Sequence, residues 1–334
     1  MSDGPLLTMR NLRVVYPGDD GDFRAVRNVS FSLGRERLGI VGESGSGKST
    51  TGRAIMGLIP YPGRVEADVM RLGDTDLTSL NEKGFRRLRG KRIAMVLQDP
   101  KFSLDPVMTV GKQIAETHRY HFRSSKQVAR AAALEMLEAV HIRDPARVYN
   151  QYAHQVSGGM GQRIMIAMML IAGPDILIAD EPTSALDVSV QQQVLAIMDE
   201  MVKRRGMGLI LISHNLHLVA SFCDRVLVMY AGQIVEAGPT DAVLSEPKHP
   251  YTRLLLSAVA DPRDADPAFA ADTGEPPRVV NPSEGCRFRW RCPFAVDTCH
   301  TVTPLPRTIG ASEVACHRAG EPALQAAASQ TKSL

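Results

Sequence analysis

The sequence predicts an α/β fold, a mostly parallel core sheet flanked by helices, and three observations predict it. Four short apolar runs, "RLGIVG", "RIAMVLQ", "DILIADE" and "LILISH", end at Gly42, Gln98, Glu181 and His214. Runs this short and this apolar suit strands buried on both faces, the condition of a parallel sheet. Helix-periodic stretches lie between them, and the polar residues that end the runs fall where open α/β sheets hold ligands, beyond the carboxyl ends of the strands.

The first run flows into "GESGSGKST", in which Gly42, Gly47, Lys48 and Ser49 fit G-x-x-x-x-G-K-[ST]. The glycines let backbone N–H groups curl around phosphate oxygens, and the next helix presents its positive N-terminus. Lys48 reaches the β- and γ-phosphates, and Ser49 is placed to ligate Mg²⁺. Ser44, Gly45 and Thr50 belong to the same predicted cradle. The helix that follows, "STTGRAIMGLIP", stops at Pro60. After the second run, "QVARAAALEMLEAV" carries Val128, Met136, Leu137 and Val140 at helical spacing. The third run ends in adjacent carboxylates. Either Asp180 and Glu181 simply face water, or Asp180 serves Mg²⁺ and Glu181 the water that attacks a γ-phosphate. His214 taken alone reads as a structural histidine; beside the other strand ends it points to the γ-phosphate. Past a hairpin-like "RVLVMYAGQIVEAG" come "EPKHPYTRLLLSAV", a Pro/Asp/Ala-rich linker and a cysteine-rich tail.

Composition narrows the class. The 334 residues are 44% hydrophobic and 22% charged with a net charge of +3, an ordinary globular balance without the basic excess of a nucleic-acid binder, so no nucleic-acid partner is expected. The local exception, "RRLRGKR" at Arg86 to Arg92, reads as a solvated face or as a phosphate contact. The N-terminus lacks the pattern of a secretory signal, and the most apolar run, Ile164 to Gly173, is half the ~20 residues that span a bilayer. A reducing compartment is therefore expected, where clustered cysteines are metal ligands more often than disulfides.

Five segments together resemble the ATP-hydrolysing subunits of ABC transporters: "GESGSGKST", Gln98 in "MVLQDP", "VSGGMGQR" at Val156 to Arg163, "ILIADEPTSALD" at Ile176 to Asp187, and "ISHNLHLV" with His214. The resemblance runs from about Leu6 to Pro247. It implies a P-loop ABC ATPase domain over residues 1–250, with an N-terminal antiparallel β region and a helical subdomain inserted at about 103–155 that contacts the membrane subunits. Two such subunits sandwich ATP, so Ser157, Gly158 and Gly159 would serve the partner's nucleotide, with Asp187 near the junction. As a bare sequence, "SGG" also reads as a helix-capping turn. Tyr16 matches the adenine-stacking position, and Gln98 the residue that senses Mg²⁺ and the attacking water. Val156 replaces the usual Leu, and Gly161 stands where a long polar residue is common.

"HPYTRLLLSAV" and the cysteine spacing resemble the oligopeptide, dipeptide and nickel branch of bacterial ABC importers. That branch implies a homologous but distinct ATPase partner, two membrane-spanning permease subunits, an external solute-binding protein, and a peripheral position on the cytoplasmic face of the inner membrane. The rival readings, an ABC-type ATPase of DNA repair or translation and a P-loop kinase, leave "HPYTRLLLSAV" or "SGGMGQR" unexplained.

Four of the five cysteines, Cys286, Cys292, Cys299 and Cys316, fall in a predicted lobe at about 284–318 within a C-terminal extension 251–334. Their spacing lacks the C-x2-C knuckle of structural zinc sites. Four thiolates suffice for a 4Fe-4S cluster, which some members of the resembled branch carry; Zn²⁺ or a lobe of reduced cysteines are the alternatives, with His300 and His317 as further ligand candidates. The segment is short of aliphatic residues, so a metal there is expected to act as a staple. Cys223 is expected to be a small buried apolar residue.

Overall fold

The computed structural model describes residues 4–19, 21–97, 104–183, 187–259, 267–269 and 284–321. Gln98 and most of the Pro/Asp/Ala-rich linker lie outside the described residues. In chain order the elements are β1 (Leu7–Tyr16), β2 (Phe23–Leu33), β3 (Arg37–Val41), α1 (Lys48–Ile55), β4 (Arg64–Glu66), β5 (Val69–Leu72), β6 (Thr75–Asp76), α2 (Glu82–Leu88) and β7 (Ile93–Val96). There follow α3 (Val110–Phe122), α4 (Lys126–Ala139), α5 (Pro145–Tyr149), α6 (Gly158–Leu170), β8 (Ile176–Asp180), α7 (Val188–Arg205), β9 (Gly208–Ser213) and α8 (Leu216–Phe222). The chain closes with β10 (Arg225–Tyr230), β11 (Gln233–Pro239), α9 (Thr240–Ser245), α10 (Pro250–Ser257), α11 (Asp297–Thr301), β12 (Arg307–Ile309) and β13 (Ser312–Val314).

The chain divides into two compact units. The first comprises Met1–Leu33, Arg37–Ser79 and Leu211–Leu334. Its antiparallel sheet runs β2-β1-β5-β6, with β4 also on β1. Alternation drives it: Val29, Phe31 and Leu33 of β2 are buried, with the exposed Asn28, Ser30 and Ser32 between and before them, as a strand with one covered face requires. The alternation breaks at Arg27 and Asn28. Register slips there, with Leu12 opposite Val29 but Val14 opposite Val26, and Asn28 has φ 49°, so the extra residue forms a bulge that turns Arg27 inward. The unit's other strands run in the order β12-β13-β11-β10-β3. β3 and β10 pair in parallel, Leu38 against Arg225 through Val41 against Val228, while β10 and β11 form the expected hairpin, turning at Ala231 and Gly232 with φ of 46° and 83°.

The second unit comprises Gly34–Glu36 and Leu80–Ile210. β7 and β8 lie parallel in register, Ile93 with Ile176 and Val96 with Ala179, and every residue of both is buried. That is the doubly covered strand read from the sequence. α4 buries Ala129, Ala133, Met136 and Leu137, and Val140 just past its end is buried too. Val128 departs from the expectation: it is 55% exposed, because the i, i+4 stripe of small residues, not the larger valine, faces the neighbouring helices. "RRLRGKR" is also more engaged than a solvated face. Arg89 forks onto Glu82 at 2.7 and 3.0 Å, and Arg92 pairs with Asp175. Cys223 is buried as expected, its thiol pushed up to about 12 by desolvation, so it stays protonated and inert.

Candidate active site

The phosphate loop joins β3 to α1 in the first unit, and its backbone could be made only by glycine at two points. Gly42 has φ 149°, and a Cβ there would stand 2.2 Å from the Met229 carbonyl; Gly47, the N-cap of α1, has φ 99° and would place one 2.7 Å from the Ala25 carbonyl. Lys48 opens α1 almost fully buried, its ammonium donating to the carbonyls of Gly42 at 2.7 Å and Glu43 at 2.8 Å. Ser44 and Gly45 are exposed at the loop mouth, Ser49 and Thr50 are half-buried on the helix, and the Thr51 hydroxyl closes onto the Gly47 carbonyl at 2.9 Å. The result is a rigid loop with open space above Gly45 and a cation beneath, a cradle for a phosphate chain. Tyr16 ends β1 half-buried, its ring edge 2.6 Å from where a Cβ on Gly63 would stand. His214 follows β9 in an exposed position, and Asn215 beside it caps α8 by accepting from the Leu218 amide at 3.1 Å.

The carboxylate end of the chemistry is carried by the second unit. Asp180 is buried as the last residue of β8. Glu181 follows half-buried at φ 47°, a left-handed conformation that a non-glycine residue adopts only when its surroundings enforce it. Sequence reasoning missed part of that surrounding. Gln162, one of the most buried polar residues at 1% exposure, donates its amide to the Pro182 carbonyl at 2.5 Å and so ties α6 to the turn carrying Glu181. Ser157 caps α6 by accepting from the Met160 amide at 3.4 Å, so the local capping role is real, and Ser157 and Gly158 remain exposed. Gly159 is a packing glycine, since a Cβ there would approach the Val190 side chain to 2.6 Å. Asp187 caps α7 through the Val190 amide at 3.0 Å. Gly161, where a long polar residue is common, is buried in α6.

A set of residues that sequence reasoning did not assign to the site holds the phosphate loop from behind. The Glu43 amide donates to the Tyr251 hydroxyl at 2.8 Å, and Arg291 forks onto the Glu43 carboxylate at 2.7 and 2.8 Å. Hydrogen bonding to that carboxylate, outweighing burial, holds the Arg291 guanidinium above the ordinary arginine range. Tyr230, Tyr251 and Phe288 pack ring to ring around this contact, with centroids 4.6 to 5.5 Å apart, and burial raises both tyrosine hydroxyls. Behind Tyr251, the fully buried Glu236 accepts from the amides of Lys248 and His249 at 2.8 and 3.0 Å and from the Thr252 hydroxyl at 2.6 Å. His249 in turn accepts the Tyr251 amide on Nδ1 at 3.0 Å; complete burial lowers its pKa to about 3, so it is neutral and serves as an acceptor. "HPY" is thus a chain of hydrogen bonds ending on the phosphate loop. The triplet was legible, but Glu43 lies 208 residues away and nothing in the sequence links the two.

The comparisons agree with this geometry. Residues 26–184 match the family model described as ABC transporter, and residues 235–299 match that of the oligopeptide/dipeptide transporter C-terminal region. The chain is 44% identical to the dipeptide transport ATP-binding protein DppD of Haemophilus influenzae, over 93% of this chain and 95% of that protein. This chain belongs to the ABC ATPases of the oligopeptide/dipeptide transporter family. The ABC ATPase is also 45% identical to the oligopeptide transport ATP-binding protein OppD of Bacillus subtilis, over 87% of this chain and 82% of the relative. Among solved structures it resembles a dimeric ATP-binding cassette in a post-hydrolysis state with ADP and phosphate, with TM-score 0.61 and 26% identity over 70% of this chain and 98% of the other. The ABC ATPase has no helix among the described residues long and apolar enough to cross a membrane.

The four tail cysteines line one narrow cavity, with Cys299 and Cys316 buried and Cys286 and Cys292 half-buried. Burial, and then the neighbouring thiols, pushes Cys286 up to about 11 and Cys292 up to about 12, while backbone N–H groups of residues 288, 289, 294, 318 and 319 point at the sulfurs. Among the described residues no group of three or more His, Cys, Asp or Glu stands close enough to hold a single metal ion. Zinc, which needs four ligands each ~2.0–2.3 Å from one point, finds no such arrangement. His317 is turned to the Val302 carbonyl at 2.7 Å, and His300 packs against Trp290.

Proposed function

We propose that this ABC ATPase powers the import of di- and oligopeptides. It would work opposite a second, homologous ATPase subunit, below two membrane-spanning permease subunits fed by an external solute-binding protein, at the cytoplasmic face of a bacterial inner membrane. The helical segment at about 103–155 is the part that meets the permeases. The relatives' dipeptide and oligopeptide names support the cargo class, and their transport role disfavours the DNA-repair and kinase readings. The observation that carries the proposal is the anchoring of Glu43 by Tyr251 and Arg291, because it builds the branch-specific C-terminal region into the phosphate loop. ATP hydrolysis in membranes containing the full assembly tests it: di- or tripeptide with the binding protein should raise turnover severalfold, and equal rates with and without peptide would contradict it.

In the proposed mechanism ATP lies between the phosphate loop of one subunit and Ser157, Gly158 and Gly159 of the other, with Tyr16 against adenine. Lys48 gives up its carbonyl partners for the β- and γ-phosphates. Ser49, Asp180 and Gln98 would hold Mg²⁺, which when bound neutralises phosphate charge. Glu181 takes a proton from the water whose oxygen bonds the γ-phosphorus as the bond to the β–γ bridging oxygen breaks, giving ADP and phosphate; His214 steadies the γ-phosphate. The left-handed backbone at Glu181, held by Gln162, fixes where that carboxylate points.

The cysteine lobe is proposed to hold a 4Fe-4S cluster through Cys286, Cys292, Cys299 and Cys316. The four thiols lining one cavity, with several N–H groups aimed at the sulfurs, support four-thiolate ligation of this kind. When bound, it supplies a covalent hub for four points of the chain. The raised thiols of Cys286, Cys292 and Cys316 stay protonated in the cluster-free lobe, so loading would release protons from them.

A further inference from the structure

The basic stretch "RRLRGKR" is only partly used by the fold. Residues 80–97 hold six cations against the single carboxylate of Glu82, in a chain whose net charge is +3. Arg89 forks onto Glu82, and Arg92 pairs with Asp175. Lys83, Arg87 and Lys91 are exposed, and their side chains make no ion pair or hydrogen bond among the described residues. Arg86 is exposed too and feels only the charge of Glu82. Lys83, Arg86 and Arg87 stand at i, i+3 and i+4, so they share one face of α2. None of the seven residues of α2 is buried, so these cations serve no packing role. The surface continues onto the end of α3. A Cβ on Gly90 would stand 2.4 Å from His121 Nε2, and burial, then the Lys91 charge, holds the His121 ring below the ordinary histidine range. Next to His121, Tyr120 and Phe122 are 64% and 49% exposed, and Arg119 and Arg123 are exposed without ion pairs among the described residues. Glu116 is the one carboxylate of α3. All of these residues belong to the second unit.

We propose that this surface, Lys83, Arg86, Arg87 and Lys91 with Tyr120 and Phe122 beside them, is a contact for the anionic phospholipid headgroups of a bilayer. Resting on the peripheral membrane position proposed above, this contact adds where the chain touches lipid. Two features select lipid. Solvated cations outnumbering their carboxylates complement a surface of fixed negative charge, and each adds to the attraction. Exposed aromatic rings next to cations are the composition of interfacial surfaces, where ring and charge settle together at headgroup depth. A nucleic acid would call for a basic excess over the whole chain, which a net charge of +3 does not provide.

The test is flotation of the full-length chain, loaded with Mg²⁺ and ADP, with vesicles of phosphatidylcholine alone or containing about 30% phosphatidylglycerol. The expected result is binding at least about tenfold stronger to the anionic vesicles, lost as salt rises from about 0.05 to about 0.5 M. At roughly fivefold per cation, Arg87→Gln/Lys91→Gln should lower that binding about twenty-fivefold, with ADP affinity within about twofold of wild type. Lys203→Gln/Arg204→Gln removes the same charge from α7, where both cations already pair with Asp199 and Glu200, and should change vesicle binding by less than about twofold. Equal affinity for the two vesicle types, retention of binding in Arg87→Gln/Lys91→Gln, or an equal loss in the α7 variant would each overturn the proposal. So would a patch variant that keeps its vesicle binding but no longer assembles with the permeases in detergent, which would assign the surface to an acidic protein segment. No peptide or permease enters the vesicle assay, so its failure leaves the import reading to the peptide-stimulated turnover described above.

Discussion

Arg291→Ala is the sharpest probe of how the C-terminal region serves the nucleotide site. Arg291 is 7% exposed at its side chain and Glu43 29%, and two hydrogen bonds join them. Truncation leaves a half-buried carboxylate without its two charge-assisted hydrogen bonds and removes the guanidinium from over the Tyr230 and Phe288 rings. Breaking a fully buried pair costs ~3–5 kcal/mol and an exposed one under ~1; the partial exposure of Glu43 places this one at about 2 kcal/mol. Because Glu43 supplies one of the two carbonyls that hold Lys48, the cost falls on the loop conformation that receives phosphate. At ~1.4 kcal/mol per factor of ten, ATP affinity should fall by roughly tenfold to thirtyfold. The assay is fluorescent-nucleotide binding for wild type, Arg291→Ala, Glu43→Ala and the double variant. A coupling of about 1–3 kcal/mol is expected, and single effects that add to within ~0.3 kcal/mol would refute the reasoning.

Further outcomes follow from other contacts. Gln162→Leu fills the same space but leaves the Pro182 carbonyl without its donor, so kcat should fall about tenfold with ATP affinity unchanged; steady-state kinetics that show an altered KM alone would remove Gln162 from the positioning of Glu181. His249 titrates at about 3 when folded against the ordinary 6.5, so the unfolded chain takes up its proton first and the stability from the neutral ring, complete above pH 6.5, is lost as pH falls toward 3. The buried Glu236, its carboxyl raised chiefly by desolvation, works in the opposite sense, being favoured by protonation. Urea unfolding of wild type and His249→Asn should therefore give a stability gap that is constant above pH 7 and shrinks between pH 6.5 and 4; a gap independent of pH would contradict the buried neutral ring. On the proposed cluster, Cys292→Ser should loosen residues 284–321 to protease and lower iron and acid-labile sulfide below the about four each per chain that a 4Fe-4S cluster would supply, while ATP affinity changes less than in Arg291→Ala; an unchanged digestion pattern would refute the staple role.

The sequence was most informative where chemistry is local. The phosphate loop and the carboxylates ending β8 are contiguous motifs whose side chains sit where strand and turn geometry must put them, and the β10–β11 hairpin was legible from its turn. α4 showed the limit of periodicity, because apolar size drew attention to Val128 while the packing used the smaller Ala129 and Ala133. What escaped was long-range. Arg291 and Glu43 are 248 residues apart, and Gln162 meets Pro182 only because α6 packs beside the end of β8. Nothing in the sequence singles out Arg27, which the bulge at Asn28 turns inward. A single sequence carries no pairing signal of this kind.

The most direct test of the central claim is ATP turnover by the full assembly with Glu181→Gln in this chain. The account predicts nucleotide affinity within about threefold of wild type and a fall in this site's hydrolysis of at least about a hundredfold, because glutamine keeps the shape but cannot accept the proton of the attacking water. Near-normal hydrolysis at this site would contradict it.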